Sequence, residues 1–120
     1  IETVVRNETE NLCMAMNHWM PDIDYGDVVR PEFHLVGDAF RLGLHGRPVP
    51  SGAETVFLAI ALAATVFKPE ECVYIVPDRD YDPITFWAIM LQLRSIPCFG
   101  AVVTNTANIP CSFGWHRVEL

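Results

Sequence analysis

Three aspartates alternate along a loop that follows an apolar segment. Asp78, Asp80 and Asp82 come directly after residues 72–76 (CVYIV). Hard cations such as Mg²⁺ and Ca²⁺ prefer several oxygen ligands, which alternating carboxylates supply. Asp82 has a second explanation, because an aspartate before Pro83 is a typical N-cap of a helix. Asp78 and Asp80 are therefore the candidate metal ligands, with Mg²⁺ or Ca²⁺ as the candidate cofactor.

The spacing of these aspartates matches known metal loops only in part. The opening resembles an EF-hand loop, but Pro83 stands where that loop needs glycine and Ile89 where it needs a bidentate glutamate. A strand followed by Asp-x-Asp also resembles nucleotide-sugar transferases and Toprim-type nucleases, whose other motifs the sequence lacks. The resemblance implies metal binding and no particular reaction.

Two further loops carry polar side chains beside predicted elements. The loop of residues 45–51 (HGRPVPS) enters a helix, where backbone N–H groups favour an anion and Arg47 would add positive charge. Ser51, with Glu54 three residues on, predicts a capping box. A second polar loop spans residues 104–111. With Arg79 from the aspartate loop, the candidate ligand-binding residues are His45, Arg47, Ser51, Arg79, Thr104 and Asn105.

Hydrophobic periodicity and turn residues predict the elements that position these loops. Helices are expected over 2–20, 51–67 and 83–94, a β-hairpin over 32–44, and strands over 72–76, 98–104 and 113–120. The segment from 72 to 104 predicts a parallel strand–helix–strand unit. The expected fold is α/β or α+β, with a small mixed sheet of about five strands and helices on both faces.

The position of a site follows from this architecture. In open α/β sheets, ligands bind at the carboxyl ends of the strands. The loops 45–51, 77–82 and 104–111 are therefore expected to meet at one edge.

Composition limits the domain number and the partners. A chain of 120 residues is one domain, predicted over 1–120, and 51% hydrophobic residues suffice for its core. The net charge of −7 and the single lysine, Lys68, argue against nucleic acid and anionic membranes as partners. No apolar stretch reaches the roughly 20 residues that span a bilayer. The four cysteines show no zinc-type spacing, which predicts reduced thiols and a cytoplasmic location.

Two classes of function remain open. The first is a binding module for a small molecule or protein, expected to be a homo-oligomer because apolar residues on helices one and three exceed what a small core needs. These residues are Trp19, Met20, Phe86, Trp87, Met90 and Leu93. The alternative is a small metal- or phosphate-dependent enzyme that uses Asp78, Asp80 and Arg47. No complete catalytic set stands in the sequence, which favours the binding module.

Overall fold

The computed structural model describes residues 2–21, 30–77, 82–104 and 115–118. Within these ranges the chain forms three α-helices, four β-strands and one short 3-10 helix. The helices are α1 (Glu2–Asn17), α2 (Gly52–Val66) and α3 (Pro83–Ser95), and the 3-10 helix is Pro69–Glu71. The strands are β1 (Pro31–Val36), β2 (Ala39–Leu44), β3 (Val73–Val76) and β4 (Phe99–Val102). The fold is α+β.

Helix α2 begins at the capping box that the sequence predicts. The Glu54 backbone N–H donates to Ser51 Oγ at 3.3 Å, and the Ser51 N–H donates to Glu54 Oε1 at 2.8 Å. Both bonds satisfy donors that the first helical turn would otherwise leave unpaired. The helix is apolar nearly all round and buries Phe57 and Ala61 completely. Its position in the centre of the core follows from that composition.

The predicted parallel strand–helix–strand unit is confirmed. β3 and β4 pair in parallel, from Val73 beside Phe99 to Val76 beside Val102. Helix α3 connects them and starts at the predicted cap, where Asp82 accepts a hydrogen bond from the Thr85 N–H at 2.8 Å. The Asp82-Pro83 helix start and the two apolar runs therefore predicted this part of the fold correctly.

The predicted hairpin is also present. β1 and β2 pair antiparallel around a two-residue turn, Gly37-Asp38. Gly37 has a φ of 62°, a left-handed value that glycine adopts at little cost and that two-residue hairpin turns require.

The prediction of one mixed sheet of about five strands is wrong. The four described strands form two separate sheets, β1–β2 and β3–β4. The hairpin packs against α1 instead of extending β3–β4, and residues 115–118 of the predicted last strand form no strand. Periodicity shows which residues are extended, whereas the pairing of strands is decided by tertiary contacts that periodicity does not encode.

Helices do not cover both faces of β3–β4. Tyr74, Val76 and Val102 belong to the core beside α2 and α3. The opposite face is exposed, with Ile75 at 67% and Phe99 at 77% of their full accessibility. We call this the outer face, and it comprises Val73, Ile75, Phe99, Ala101 and the adjoining Val103.

The core lies where the three helices meet. Met16 of α1, Phe57 of α2 and Ile89 of α3 are fully buried, and Leu44 at the end of β2 joins them. Most of the aromatic and methionine residues expected at a surface are inside, since Met20, Phe86, Met90 and Leu93 are buried. Trp19 and Trp87 are half-buried. These residue types are also ordinary in a core, and the burial of four of them agrees with that alternative, while the oligomeric state stays a prediction.

Candidate functional site

A groove between α1 and the β1–β2 hairpin is the candidate site. Its volume is about 1020 Å³, the size of a small-molecule pocket. Its lining combines large apolar side chains with a set of charged or titratable side chains. The apolar residues include Val5, Met14, Phe33, Leu35 and Phe40, and the charged or titratable ones include Arg6, Glu10, Cys13, Arg30, Glu32 and His45.

The apolar wall follows from the alternation of the hairpin. Paired residues of antiparallel strands share a face, so Phe33 lies beside Leu42 and Leu35 beside Phe40 on the same side. This face is buried at its base and exposed toward the turn, where Leu35 retains 67% of its accessibility. Helix α1 packs against β1 but leaves Leu35 and Phe40 open to a ligand.

A polar cluster of Arg30, Glu32 and His45 borders the same groove. His45 Nδ1 lies 2.8 Å from Glu32 Oε2 and 3.2 Å from Arg30 Nη2. Nδ1 donates to Glu32 when it carries a proton and accepts from Arg30 when it does not, so the two contacts are alternatives. Arg30 has five N–H donors, and the only side-chain bond it makes among the described residues goes to His45.

The backbone holds this cluster in place at the base of the hairpin. The His45 N–H donates to the Arg30 carbonyl at 2.8 Å. Leu44 and Arg47 then exchange two backbone hydrogen bonds of 2.9 Å across a turn in which Gly46 has a φ of 77°. These bonds hold the His45 backbone beside Arg30 at the base of the hairpin.

Cys13 of α1 also lines the groove. Burial raises the pKa of its thiol, and the charge of Glu32 adds to that effect, while a hydrogen bond with the Phe33 backbone opposes it. A raised pKa keeps the sulfur protonated at neutral pH, and a protonated thiol is a poor nucleophile. Cys13 is therefore part of the wall of the groove.

The predicted ligand residues are distributed differently from the expectation. His45 lines the groove, but Arg47 donates to the carboxylate of the buried Glu54, and Ser51 caps α2. Thr104 is the second residue after the end of β4 and is partly buried, and it already interacts with another group of the protein. Asp78, Asp80, Arg79 and Asn105 lie outside the described residues.

Two of the three loops start from neighbouring strand ends at one edge of a sheet. Val76 and Val102 end neighbouring parallel strands, and the Val103 N–H donates to the Val76 carbonyl at 3.0 Å. The chain leaves both strands at this end of the sheet. The loop of residues 45–51 follows β2, which belongs to the other sheet.

Sequence reasoning missed Arg30 and Glu32. The available signal was the hairpin register, which places Glu32 opposite Gly43 and close to the His45 turn. Recognising a groove also required the position of α1, which no local pattern gives.

In the ranges that the structure describes, no group of three or more His, Cys, Asp or Glu residues could hold a metal ion. The predicted metal ligands are outside those ranges, so metal binding by Asp78 and Asp80 stays a prediction. None of the described helices is long and apolar enough to cross a membrane.

Comparison with known proteins found no family model, no curated protein and no solved structure that matches the chain.

Proposed function

We propose that the chain is a binding module whose site is the groove between α1 and the β1–β2 hairpin. The observation that carries the proposal is the composition of this groove, a large apolar wall beside one polar cluster. Ligand pockets are commonly lined in this way, with apolar side chains supplying affinity and a few polar groups fixing orientation.

The ligand class follows from the same composition. Leu35 and Phe40 offer an apolar surface to a hydrocarbon body. Arg30 has N–H donors beyond the one that meets His45, and guanidinium groups bind carboxylates in bidentate fashion. The groove therefore suits a small amphipathic molecule with an anionic head group.

Binding of decanoate and decanol, measured by calorimetry, tests this function. Decanoate is expected to bind the wild-type chain, and Leu35→Ser to weaken that binding roughly tenfold through lost apolar contact. Val36→Ser is the matched control, because Val36 is the next residue but points to the other face of the hairpin. Equal binding by both variants would contradict the site.

The head group is tested separately. Arg30→Gln should reduce the preference for decanoate over decanol while leaving decanol binding unchanged. A preference that survives in Arg30→Gln would remove the anionic head group from the proposal but leave the groove in place.

Self-association is the second part of the proposal. The outer face of β3–β4 is apolar and uncovered, and parallel sheets are normally covered on both faces. A second copy of the chain would supply the cover. A cytoplasmic location is proposed with it, because Cys13, Cys72 and Cys98 are unpaired thiols, as in a reducing compartment.

A further inference from the structure

Cys72 and Cys98 occupy neighbouring positions at the start of the two parallel strands. β3 and β4 are paired with Val73 beside Phe99, so the residues immediately before that pair are the two cysteines. The ladder reaches this point, because the Phe99 N–H donates to the Cys72 carbonyl at 3.2 Å. Cys72 has extended backbone angles, with φ −107° and ψ 148°.

The strand geometry places both thiols on the same side of the sheet. Side chains alternate along a strand, so Cys72 shares the face of Tyr74 and Val76, and Cys98 that of Gly100 and Val102. Neighbouring strands lie about 4.8 Å apart, inside the range of about 4.4–6.8 Å between Cα atoms that a disulfide bridges. We propose that Cys72 and Cys98 form a reversible disulfide that joins the residues immediately before β3 and β4.

The charge interactions of this region agree with that placement. The pKa of Cys98 is raised, mainly by burial and further by Cys72. The pKa of Tyr74 is raised as well, mainly by burial and then by both thiols. These three side chains therefore lie close enough to interact. Neither sulfur is held by a strong bond, because Cys72 donates to the Lys68 carbonyl at 3.2 Å and Cys98 to the Leu93 carbonyl at 4.0 Å.

The oxidant in the proposed reaction is a low-molecular-weight disulfide such as oxidised glutathione. The Cys72 thiolate attacks one glutathione sulfur, so that a mixed disulfide forms and one glutathione thiolate leaves. The Cys98 thiolate then attacks the Cys72 sulfur and releases the second glutathione. Two protein thiols are oxidised, one disulfide is reduced to two thiols, and the two thiol protons end on glutathione.

Reversibility follows from the chemistry of thiol–disulfide exchange. The same two displacement steps run backwards when reduced glutathione is in excess, so the bond opens in a reducing buffer. Disulfides in reducing compartments are mostly transient and redox-sensing. The inference goes beyond ligand binding and does not depend on the α1–hairpin groove.

Peptide mapping of the wild-type chain, equilibrated with glutathione buffers of increasing oxidation, is the decisive experiment. Arg79 and Arg94 lie between Cys72 and Cys98, and Phe99 lies between Cys98 and Cys111. Digestion with trypsin and chymotrypsin therefore places these three thiols in separate peptides unless a disulfide joins them. The expected product is one linked pair of peptides that contains Cys72 and Cys98 and separates on reduction. Glutathione adducts on single cysteines without this link would overturn the proposal, as would a link to Cys13 or Cys111.

Thermal melts of the same samples provide an independent readout. Oxidation is expected to raise the melting temperature by roughly 5–10 °C, because the bond closes a long segment of the unfolded chain. Cys98→Ser and Cys98→Ala should both lose this increase, and Cys13→Ser should retain it. An increase that persists in either Cys98 variant would mean that another pair of thiols is responsible.

Discussion

Polar residues near a helix start can be structural even when their types suggest ligand binding. Arg47 was predicted to bind an anion, but its partner is a carboxylate of the protein itself. Glu54 is buried and accepts hydrogen bonds from Arg47 and from the Ser51 backbone. The anion in front of α2 is thus a side chain of α2, and binding of an external anion by Arg47 stays a prediction.

Replacing Arg47 should destabilise the fold. Arg47→Met leaves the buried Glu54 carboxylate with the Ser51 N–H as its remaining described partner. We expect a loss of about 1–2 kcal/mol in the free energy of unfolding, at the lower end of values for buried charged partners because Arg47 is itself half-exposed. Urea denaturation measures it. Arg41→Met is the matched control, since Arg41 is exposed on β2, and an equal loss in both variants would contradict the role of the ion pair.

The cap of α3 should give the stability a measurable pH dependence. Hydrogen bonds from the Thr85 backbone and then from its hydroxyl lower the pKa of Asp82 below its usual value of about 3.9. A carboxyl whose pKa is lowered in the folded state stabilises above its unfolded pKa, and this stability is lost as the pH falls through the folded pKa. We expect Asp82→Ala to lower the urea midpoint at pH 7 and to match the wild type once the pH is well below about 4.

Asp82→Asn separates the charge from the capping oxygen. Asparagine still accepts from the Thr85 N–H but does not titrate, so its urea midpoint should stay near the wild-type value at neutral pH. The Asp82→Asn variant should not show the loss of stability that protonation of the Asp82 carboxylate causes in the wild type at acid pH. If the wild type and Asp82→Asn lose stability in parallel between neutral and acid pH, the Asp82 carboxylate is not responsible.

At the scale of elements, one buried side chain joins α3 to α2 and to the turn that follows α1. Gln92 of α3 is 1% exposed, and its Nε2 donates to the Trp19 carbonyl at 3.1 Å and to the Phe57 carbonyl at 2.9 Å. Both partners are acceptors, which identifies the amide nitrogen as the atom that faces them. The side-chain oxygen has no partner among the described residues.

Two substitutions at Gln92 should differ in a definite order. Gln92→Met keeps the size but loses both bonds, and about 1–3 kcal/mol of unfolding free energy should be lost with them. Gln92→Glu should be worse at pH 7, because a buried carboxylate would face two carbonyl oxygens. Lowering the pH should restore part of the stability of Gln92→Glu, since the protonated acid can donate to one of them. Urea midpoints of both variants at two pH values decide the order, and a Glu variant as stable as wild type would contradict it.

The elements that could be predicted from the sequence are those specified by neighbouring residues. The Ser51–Glu54 box, the Asp82-Pro83 start and the Gly37 turn each act within four residues, and the structure confirms all three. The parallel pairing of β3 and β4 was predictable because a helical crossover between strands favours it. The separation into two sheets and the α1–hairpin groove depend on contacts between distant segments, so local patterns could not specify them.

At the scale of the whole molecule, the outer face of β3–β4 is an apolar surface that a second layer normally covers in a parallel sheet. If each full side chain has an area of about 100–200 Å², the exposed fractions of the large side chains on this face add up to roughly 400 Å². A standard interface buries about 800 Å² per partner, and its core is mostly apolar. The outer face carries no charged residue, so contact between two copies there would bury no charge.

Assembly through this face predicts a dimer that a single charge disrupts. Phe99 projects beside the small Ala101 on the same face, so a two-fold axis between them would place each ring over the partner's alanine. Sedimentation at tens of micromolar should show a dimer for the wild type. Ile75→Asp should weaken it by roughly 100-fold or more, because a carboxylate would be buried in the apolar seam. Leu35→Asp is the matched control, since Leu35 and Ile75 are both 67% exposed but lie on different sheets. A wild-type monomer, or a dimer that Leu35→Asp disrupts and Ile75→Asp does not, would place the self-association surface elsewhere or remove it.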